Sequence, residues 1–380
     1  MKPRLTFYTN IPSPYNIDFF EALTEHFDLG VVYYSSIESD RQWTLVEDQA
    51  RYKRICLENN LIARLIQKVK SDFHFSNAIF RQAFTDDARF VVASGNYYLP
   101  NTVAVLLISK LRGKVILWFG ERLFTSRSKL RFLFKKMLML PLRNCCKEVL
   151  CIGDAAASSY RAHGVKRPME IVPYNINDSR YKKEALDPVR LERIRAELNP
   201  DGKCVVITSG SLIHRKGMDV AIEAFCTLPE LLRQDAELWI MGDGELRAEL
   251  EARVNGRGRV VFLGFKEKEE IPYLYGLSDL FLFCSRYDGW GVVVNEAMSA
   301  SLPVVLSDRV VASQLVVEGK GGYVCASDSV ADFRAALEKV VRDPALRRAM
   351  GEFNAQQAAR WNSASMAAKV LEICGKYGQF

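Results

Sequence analysis

Histidine is scarce in this chain, with four among 380 residues and none close to another in sequence. The nine cysteines form no Cys-x-x-Cys pair, so no zinc or other metal site is indicated. Several of them, such as Cys204, Cys284 and Cys325, sit inside apolar runs and read as small buried hydrophobes, which suits a reducing, cytoplasmic setting. Long apolar runs are missing as well. Residues 103–108 and 137–142 are far too short to span a bilayer, and Lys2-Pro3-Arg4 leads into a short strand-like run instead of a signal-peptide core. The Gly-x-x-x-x-Gly-Lys-Ser/Thr spacing of a Walker loop is also absent. What remains is ordinary for a globular chain: 49% apolar and 26% charged residues, in a length that favours two domains over one core.

Acidic residues are unevenly distributed. Residues 1–175 carry 25 Lys/Arg against 16 Asp/Glu, and the remainder 27 against 29. Within residues 122–147 there are eight Lys/Arg and no acidic side chain, with Phe132, Leu133, Phe134, Met137, Leu138 and Met139 interleaved among Lys129, Arg131, Lys135 and Lys136. A cationic, apolar helix suits peripheral contact with an anionic membrane, at the inner face of the cell membrane for a cytoplasmic protein. The alternative is that the apolar residues are core and only the charges are exposed. The helix is too apolar to read a nucleic-acid groove, so no nucleic-acid partner is expected.

Apolar patterning places strands at residues 5–9, 30–34, 90–93, 115–119 and 149–152, with helices at 15–25, 61–69, 102–111 and 128–140. After a charged, proline-punctuated segment at 177–200, a second cycle begins. Its strands are expected at 204–209, 237–241, 260–263, 280–284, 304–306 and 322–324, and its helices at 218–227 and 246–254. The alternation predicts α/β architecture with two domains meeting near residues 173–180: 1–175, 176–358, and a closing segment 359–380. An amphipathic stretch at 354–374 could pack back on the first domain as a final helix. Ligands are expected in the cleft beyond the carboxyl ends of the strands.

The stretch from Ser285 to Met298 carries the densest chemistry. Asp288 lies just past the buried run 280–284, and Gly289 and Gly291 leave no side chain to block a ligand approaching the backbone. A helix opening at Val293, just after Val292, would aim free N–H groups at the same loop and favour a phosphate. Glu296, one turn in, could accept paired hydrogen bonds from the vicinal hydroxyls of a ribose. A surface Asp and a helix-start Glu are the plain alternative.

Residues 210–219 run from a strand into a helix and present two adjacent cations. Arg215 offers a bidentate fork to phosphate oxygens and Lys216 a mobile point charge. With a helix N-terminus they would stabilise a leaving diphosphate, unless the segment is only a solvated basic turn. Gly242-Asp243-Gly244-Glu245 permits backbone approach to a base or ribose, although such dipeptides also make ordinary turns. Phe265 could pack against a base or be a buried aromatic. In the first half, Glu121 and Arg122 follow a strand and either orient an acceptor, contact a transferred sugar, or pair as a loop salt bridge. Tyr97, Tyr98, Asn10 and the Pro12-Ser13-Pro14-Tyr15 turn are placed to wall the same pocket. His214 is loop scaffolding or a donor contact and is not assigned as a base.

Together these motifs resemble the retaining glycosyltransferases of family 4, also called group 1 glycosyltransferases, which have the GT-B fold. The family carries a glutamate, seven residues and a second glutamate; here Asp288 stands first and Glu296 second. It also carries Gly-Arg, a spacer and Lys-Gly. Here Gly210-Ser211 precedes Arg215-Lys216-Gly217, so Ser211 occupies the arginine position and Arg215 is expected to take over phosphate contact. The family's glycine-rich acceptor loop is replaced by residues 10–15, and its first-domain histidine has no match beyond Gly120-Glu121-Arg122. The resemblance is strongest over residues 205–305.

The basic apolar helix favours a lipid-linked or lipopolysaccharide-type glycan as acceptor, and the resemblance implies two Rossmann-like domains facing across a deep cleft and a nucleotide diphosphate sugar as donor (UDP-sugar favoured). It further implies Glu296 on the ribose, Asp288 on a sugar hydroxyl, Arg215 and Lys216 on the diphosphate, and retention of anomeric configuration. The donor is a substrate, no cofactor is implied, and metal is not required. A nucleotide-sugar epimerase of the same architecture and a non-catalytic nucleotide-sugar-binding subunit are the alternatives.

Overall fold

Strands in both halves of the chain have almost no polar face. Val115–Gly120, Ala236–Met241 and Leu280–Phe283 are buried along their whole length, the pattern of parallel strands covered on both sides by helices. A computed structural model describes residues 2–12, 14–35, 50–67, 73–123 and 128–378. Ser13 and part of the basic segment, residues 124–127, lie outside the described residues, as does the expected helix beyond Gln67.

The first unit comprises residues 1–175 and 363–380. It runs β1 (Arg4–Thr9), α1 (Pro14–Leu23), β2 (Asp28–Tyr33), β3 (Lys53–Cys56), α2 (Leu61–Gln67), α3 (Ala78–Thr85), β4 (Phe90–Ser94) and α4 (Pro100–Leu111). It continues through β5 (Val115–Gly120), α5 (Lys129–Leu138), α6 (Leu140–Cys145), β6 (Glu148–Cys151), α7 (Asp154–Ala162) and β7 (Met169–Ile171). The strands form one parallel sheet in the order β3-β2-β1-β4-β5-β6-β7. Beneath β1, Phe7 meets Phe20 at 5.0 Å and Phe119 at 5.8 Å between ring centroids, which anchors α1 against the sheet. Trp118 on the same sheet donates Nε1–H to Tyr160 Oη on α7 at 2.8 Å.

The second unit, residues 176–362, contains α8 (Pro188–Leu198), β8 (Cys204–Ser209), α9 (Met218–Cys226), α10 (Glu230–Gln234), β9 (Ala236–Met241), α11 (Arg247–Val254) and β10 (Val260–Gly264). It ends with α12 (Ile271–Gly276), β11 (Leu280–Phe283), α13 (Val292–Ser299), β12 (Val304–Ser307), β13 (Gly322–Cys325), α14 (Val330–Arg342) and α15 (Pro344–Ala358). Its sheet is also parallel, in the order β10-β9-β8-β11-β12-β13. Each unit is thus a Rossmann-like α/β layer structure. The chain then returns to the first unit as α16 (Ser363–Gly375), which packs on α1. Lys369 Nζ bonds Ile171 O at 3.1 Å, and Tyr377 Oη bonds the buried Glu148 Oε2 at 2.8 Å, tying this helix to β6 and β7.

Some elements depart from the sequence expectation. The segment 177–200 is not a bare linker: Asp187 accepts from Val189 N at 2.9 Å and Pro188 opens α8, a capped start that its weak amphipathicity concealed. β3, α3, α7 and β7 are short elements whose apolar periodicity is too brief to read. The stretch 354–374 is two helices, broken between Ala358 and Ser363; the first packs on α13 and the second on α1.

One buried charge pair is central to the first sheet. Asp86 accepts from Thr6 Oγ1 at 3.0 Å, Tyr8 Oη at 2.9 Å and Ala88 N at 2.9 Å. Lys114 Nζ lies 2.9 Å from its Oδ2 as a charge contact, not an aligned hydrogen bond, with both side chains 5% exposed. Lys114→Met removes the compensating charge and should cost about 3–5 kcal/mol in urea unfolding, whereas a change under about 1 kcal/mol would show that solvent already compensates Asp86.

Candidate active site

In the second sheet β8 and β11 are neighbours, although two other strands intervene between them in sequence. The helix after β8, α9, packs with α11 and α14, whereas the helix after β11, α13, packs with α12 and α15. The two connections therefore leave toward opposite faces, and their loops border an open crevice at the carboxyl edge. Both cation and carboxylate motifs fall in these two loops.

Lys216 Nζ reaches Asp288 Oδ2 at 2.6 Å across that crevice, with the two side chains 15% and 16% exposed. Arg215 Nη1 lies 3.6 Å from the same oxygen and donates to Tyr287 O at 2.9 Å. The Lys216 ammonium also stands 5.2 Å from the centroid of the Phe283 ring, an orientation that cation–π attraction favours. Asp288 Oδ1 accepts from Trp290 N at 3.3 Å, which fixes the carboxylate within its own turn. Two cations facing one carboxylate leave a local excess of positive charge.

α13 begins beside this cluster. Gly291, at φ 92°, precedes Val292, and no side chain caps the helix start. Trp290 Nε1 donates to Asn295 Oδ1 at 2.8 Å, bracing the turn against the helix it opens. Such an amino end attracts an anion, and it lies on the same loop as Asp288. Glu296, one turn along, accepts from Tyr275 Oη at 3.4 Å. Burial of that phenol, with the Glu296 charge beside it, pushes Tyr275 well above its ordinary pKa, so the hydroxyl stays a donor.

The glycines let the loops pack closely. A Cβ on Gly242 would sit 2.0 Å from Gly210 O, and one on Gly217 2.1 Å from Cys284 O. Gly291 has the Val310 side chain in the space that its own would need. These absent side chains let loops close on one another, with Gly210 N bonded to Met241 O and Gly242 N to Gly264 O, both at 2.9 Å.

Gly210, Arg215 and Lys216 thus lie on the loop after β8, and Asp288, Gly291, Val292 and Glu296 on the loop after β11 and the start of α13. Gly289 sits in the same turn. Ser211 and Asp243 are exposed on the neighbouring loops, where Leu212 N bonds Asp243 O at 2.9 Å. Phe265 is 73% exposed and so is not the buried aromatic that was one reading of it. Glu121 belongs to the first unit and accepts from Tyr174 Oη at 2.6 Å. Among the described residues no group of three or more His, Cys, Asp or Glu is placed to hold a metal ion.

Sequence reasoning gave no role to Arg286, although it lies within the motif. Its Nη1 and Nη2 grip both oxygens of Asp219 at 2.9 and 2.8 Å, and its Nε donates to Asp328 Oδ1 at 2.6 Å. Burial alone would raise the Asp219 carboxyl, but hydrogen bonds and charge from Arg286, aided by backbone N–H groups, outweigh it and hold it below the ordinary 3.8.

A family model described as group 1 glycosyl transferases matches residues 190–357. Alpha-D-kanosaminyltransferase of Streptomyces kanamyceticus is 32% identical over 192 residues, 50% of each chain. The lipopolysaccharide core biosynthesis mannosyltransferase LpcC of Rhizobium leguminosarum bv. viciae is 34% identical over 173 residues, 43% of this chain and 47% of that one. The chain spans about half the length of these curated relatives. Among solved structures, Anabaena HepE in complex with UDP superposes with a TM-score of 0.77 at 16% identity, covering 98% of this chain and 100% of that one. WaaG, a glycosyltransferase involved in lipopolysaccharide biosynthesis, gives 0.67 at 20% identity, covering 97% and 99%. These superpositions establish the GT-B fold.

The Asp219–Arg286 bridge carries a signed pH dependence. Because the folded carboxyl is depressed, its stabilisation is complete above 3.8 and is lost as pH falls through the lower folded value. Urea unfolding of the wild type and Asp219→Asn should differ most near pH 7 and converge toward pH 3; a gap independent of pH would remove the bridge from the account.

Proposed function

We propose that this chain, a GT-B protein related to the group 1 glycosyl transferases, moves a hexose or N-acetylhexosamine from a nucleotide diphosphate sugar to a glycan acceptor with retention of configuration. The observation that carries this reading is the cluster of Lys216, Arg215 and Asp288 beside the amino end of α13, at the switch point of the second sheet. Two fixed cations and a helix N-terminus suit a diphosphate that leaves with its negative charge exposed. Asp288, released in part from Lys216 as phosphate arrives, would accept from a sugar hydroxyl. Glu296 would accept from the ribose.

The leaving phosphate takes the acceptor proton on the same face, so no protein nucleophile is needed. Arg215 and Lys216 supply the charge that a metal would otherwise supply, and turnover is expected to survive a chelator. The UDP preference draws on HepE, solved with UDP and with UDP-glucose. A lipid-linked or lipopolysaccharide-type acceptor draws on the lipopolysaccharide roles of LpcC and WaaG. In this reading residues 176–358 bind the donor, and residues 1–175 bind the acceptor with Glu121 oriented toward it. The segment 359–380 closes the first domain.

A membrane-facing surface belongs to the same proposal. On α5, Leu130, Leu133, Phe134 and Met137 are 77%, 63%, 55% and 53% exposed, among Lys129, Arg131, Lys135 and Lys136. Helices α2, α3, α4 and α6 of the same unit also lack any acidic residue, whereas every other helix of eight or more residues carries at least one. Among the described residues no helix is long and apolar enough to cross a membrane. Contact at the inner face of the cell membrane, through residues 122–147, fits that surface. Each Lys or Arg near an anionic surface contributes about 1 kcal/mol.

Two outcomes test these assignments. With UDP-, GDP- and ADP-sugars and glycan-lipid extracts, nucleoside diphosphate release is expected with at least one donor. Lys216→Met and Glu296→Gln should lower it about tenfold or more, since each loses a charged contact. No release with any donor would defeat the transferase reading, and conversion of donor without acceptor would replace it with an epimerase. In vesicle flotation the protein should bind phosphatidylglycerol vesicles in a salt-sensitive way and leave phosphatidylcholine vesicles free, with Lys135→Glu/Lys136→Glu weakening binding. Equal recovery on both vesicles would rule out the anionic surface.

A further inference from the structure

Arg215 and Lys216 lie on a single short turn, His214–Lys216, so whatever holds that backbone decides where both cations point. Three bonds from the β11 loop converge on it. Arg286 Nη1 donates to His214 O at 2.7 Å, Arg286 N to Arg215 O at 2.9 Å, and Ser285 Oγ to Arg215 O at 3.1 Å. The Arg286 guanidinium is in turn fixed from two other elements, by both oxygens of Asp219 in the first turn of α9 and by Asp328 beyond β13. With its side chain 18% exposed and four donor contacts made, it is committed to the protein and not offered to a ligand. Gly217 completes the arrangement, because only a residue without Cβ fits 2.1 Å from Cys284 O at φ 65°.

We propose that Arg286 is a positioning residue for the donor diphosphate, holding the 214–216 turn so that Arg215 and Lys216 meet the phosphates already oriented. This rests on the donor reading given above. A planar fork is required, since one cation must satisfy a carboxylate and a backbone carbonyl in fixed directions; a lysine keeps the charge but loses the geometry. Preorganised contacts of this kind act on affinity for the group they face, because the turn no longer has to be ordered at binding.

The test compares UDP with UMP, and GDP with GMP, by calorimetric titration of wild type, Arg286→Gln, Arg286→Lys and Asp219→Asn, with thermal unfolding measured alongside. Arg286→Gln should weaken diphosphate binding about tenfold or more while monophosphate binding falls far less, and Arg286→Lys should recover part of the loss. Donor KM should rise with acceptor KM unchanged. If Arg286→Gln does not fold, Asp219→Asn and Arg286→Lys carry the same criterion. An unchanged ratio of diphosphate to monophosphate affinity overturns the proposal, as does a proportional loss of both. A wild type that binds no nucleoside diphosphate is a different failure, that of the donor reading itself.

Discussion

Parallel pairing in the order β10-β9-β8-β11-β12-β13 imposes the constraint on which the rest of the second unit depends: two adjacent strands send their chains to opposite faces. Right-handed crossovers leave no other arrangement, and the divergence opens the sheet's carboxyl edge between the β8 and β11 loops. The groups proposed to grip the diphosphate lie there. Lys216 and Arg215 come from one loop, Asp288 and the amino end of α13 from the other, and the 2.6 Å Lys216–Asp288 contact joins them. The loops keep their shape because glycines at 217 and 242 let backbone approach backbone.

Much of this was legible in the sequence for a definite reason. Arg215, Lys216 and Asp288 lie in loops that begin where buried apolar runs stop, and a strand's end is readable wherever its apolar run stops. The start of α13 was expected at Val293 and is found at Val292, since the glycines before it mark where the loop must end. The glycine motifs also carry a packing constraint that the sequence does not show. A sequence shows that a side chain is missing but not what fills the space, and at Gly242 the occupant is Gly210 O.

Other parts were hidden by the same limits. α8 is amphipathic only weakly, so its Asp187-Pro188 start was the available signal and was passed over as linker punctuation. Arg286 was invisible because its partners Asp219 and Asp328 lie 67 and 42 residues away. No local pattern reports a bond at that separation. Phe265 had two readings, and its exposure settles against the buried one without giving it a ligand.

The two units differ in the surfaces they present. In the second, nearly every charged side chain near the crevice is engaged with another, as in the chain of contacts from Asp328 through Arg286 to Asp219. In the first, the helices α2 to α6 carry cations and exposed apolar residues with no carboxylate among them. The first pattern holds side chains in fixed positions, and the second leaves cations and apolar groups facing solvent. The position of a bound nucleoside diphosphate in a crystal of the complex tests the proposed site. The account predicts its phosphates in contact with Arg215, Lys216 and the amino end of α13, with Lys216 drawn away from Asp288. Phosphates held by any other set of residues would contradict it.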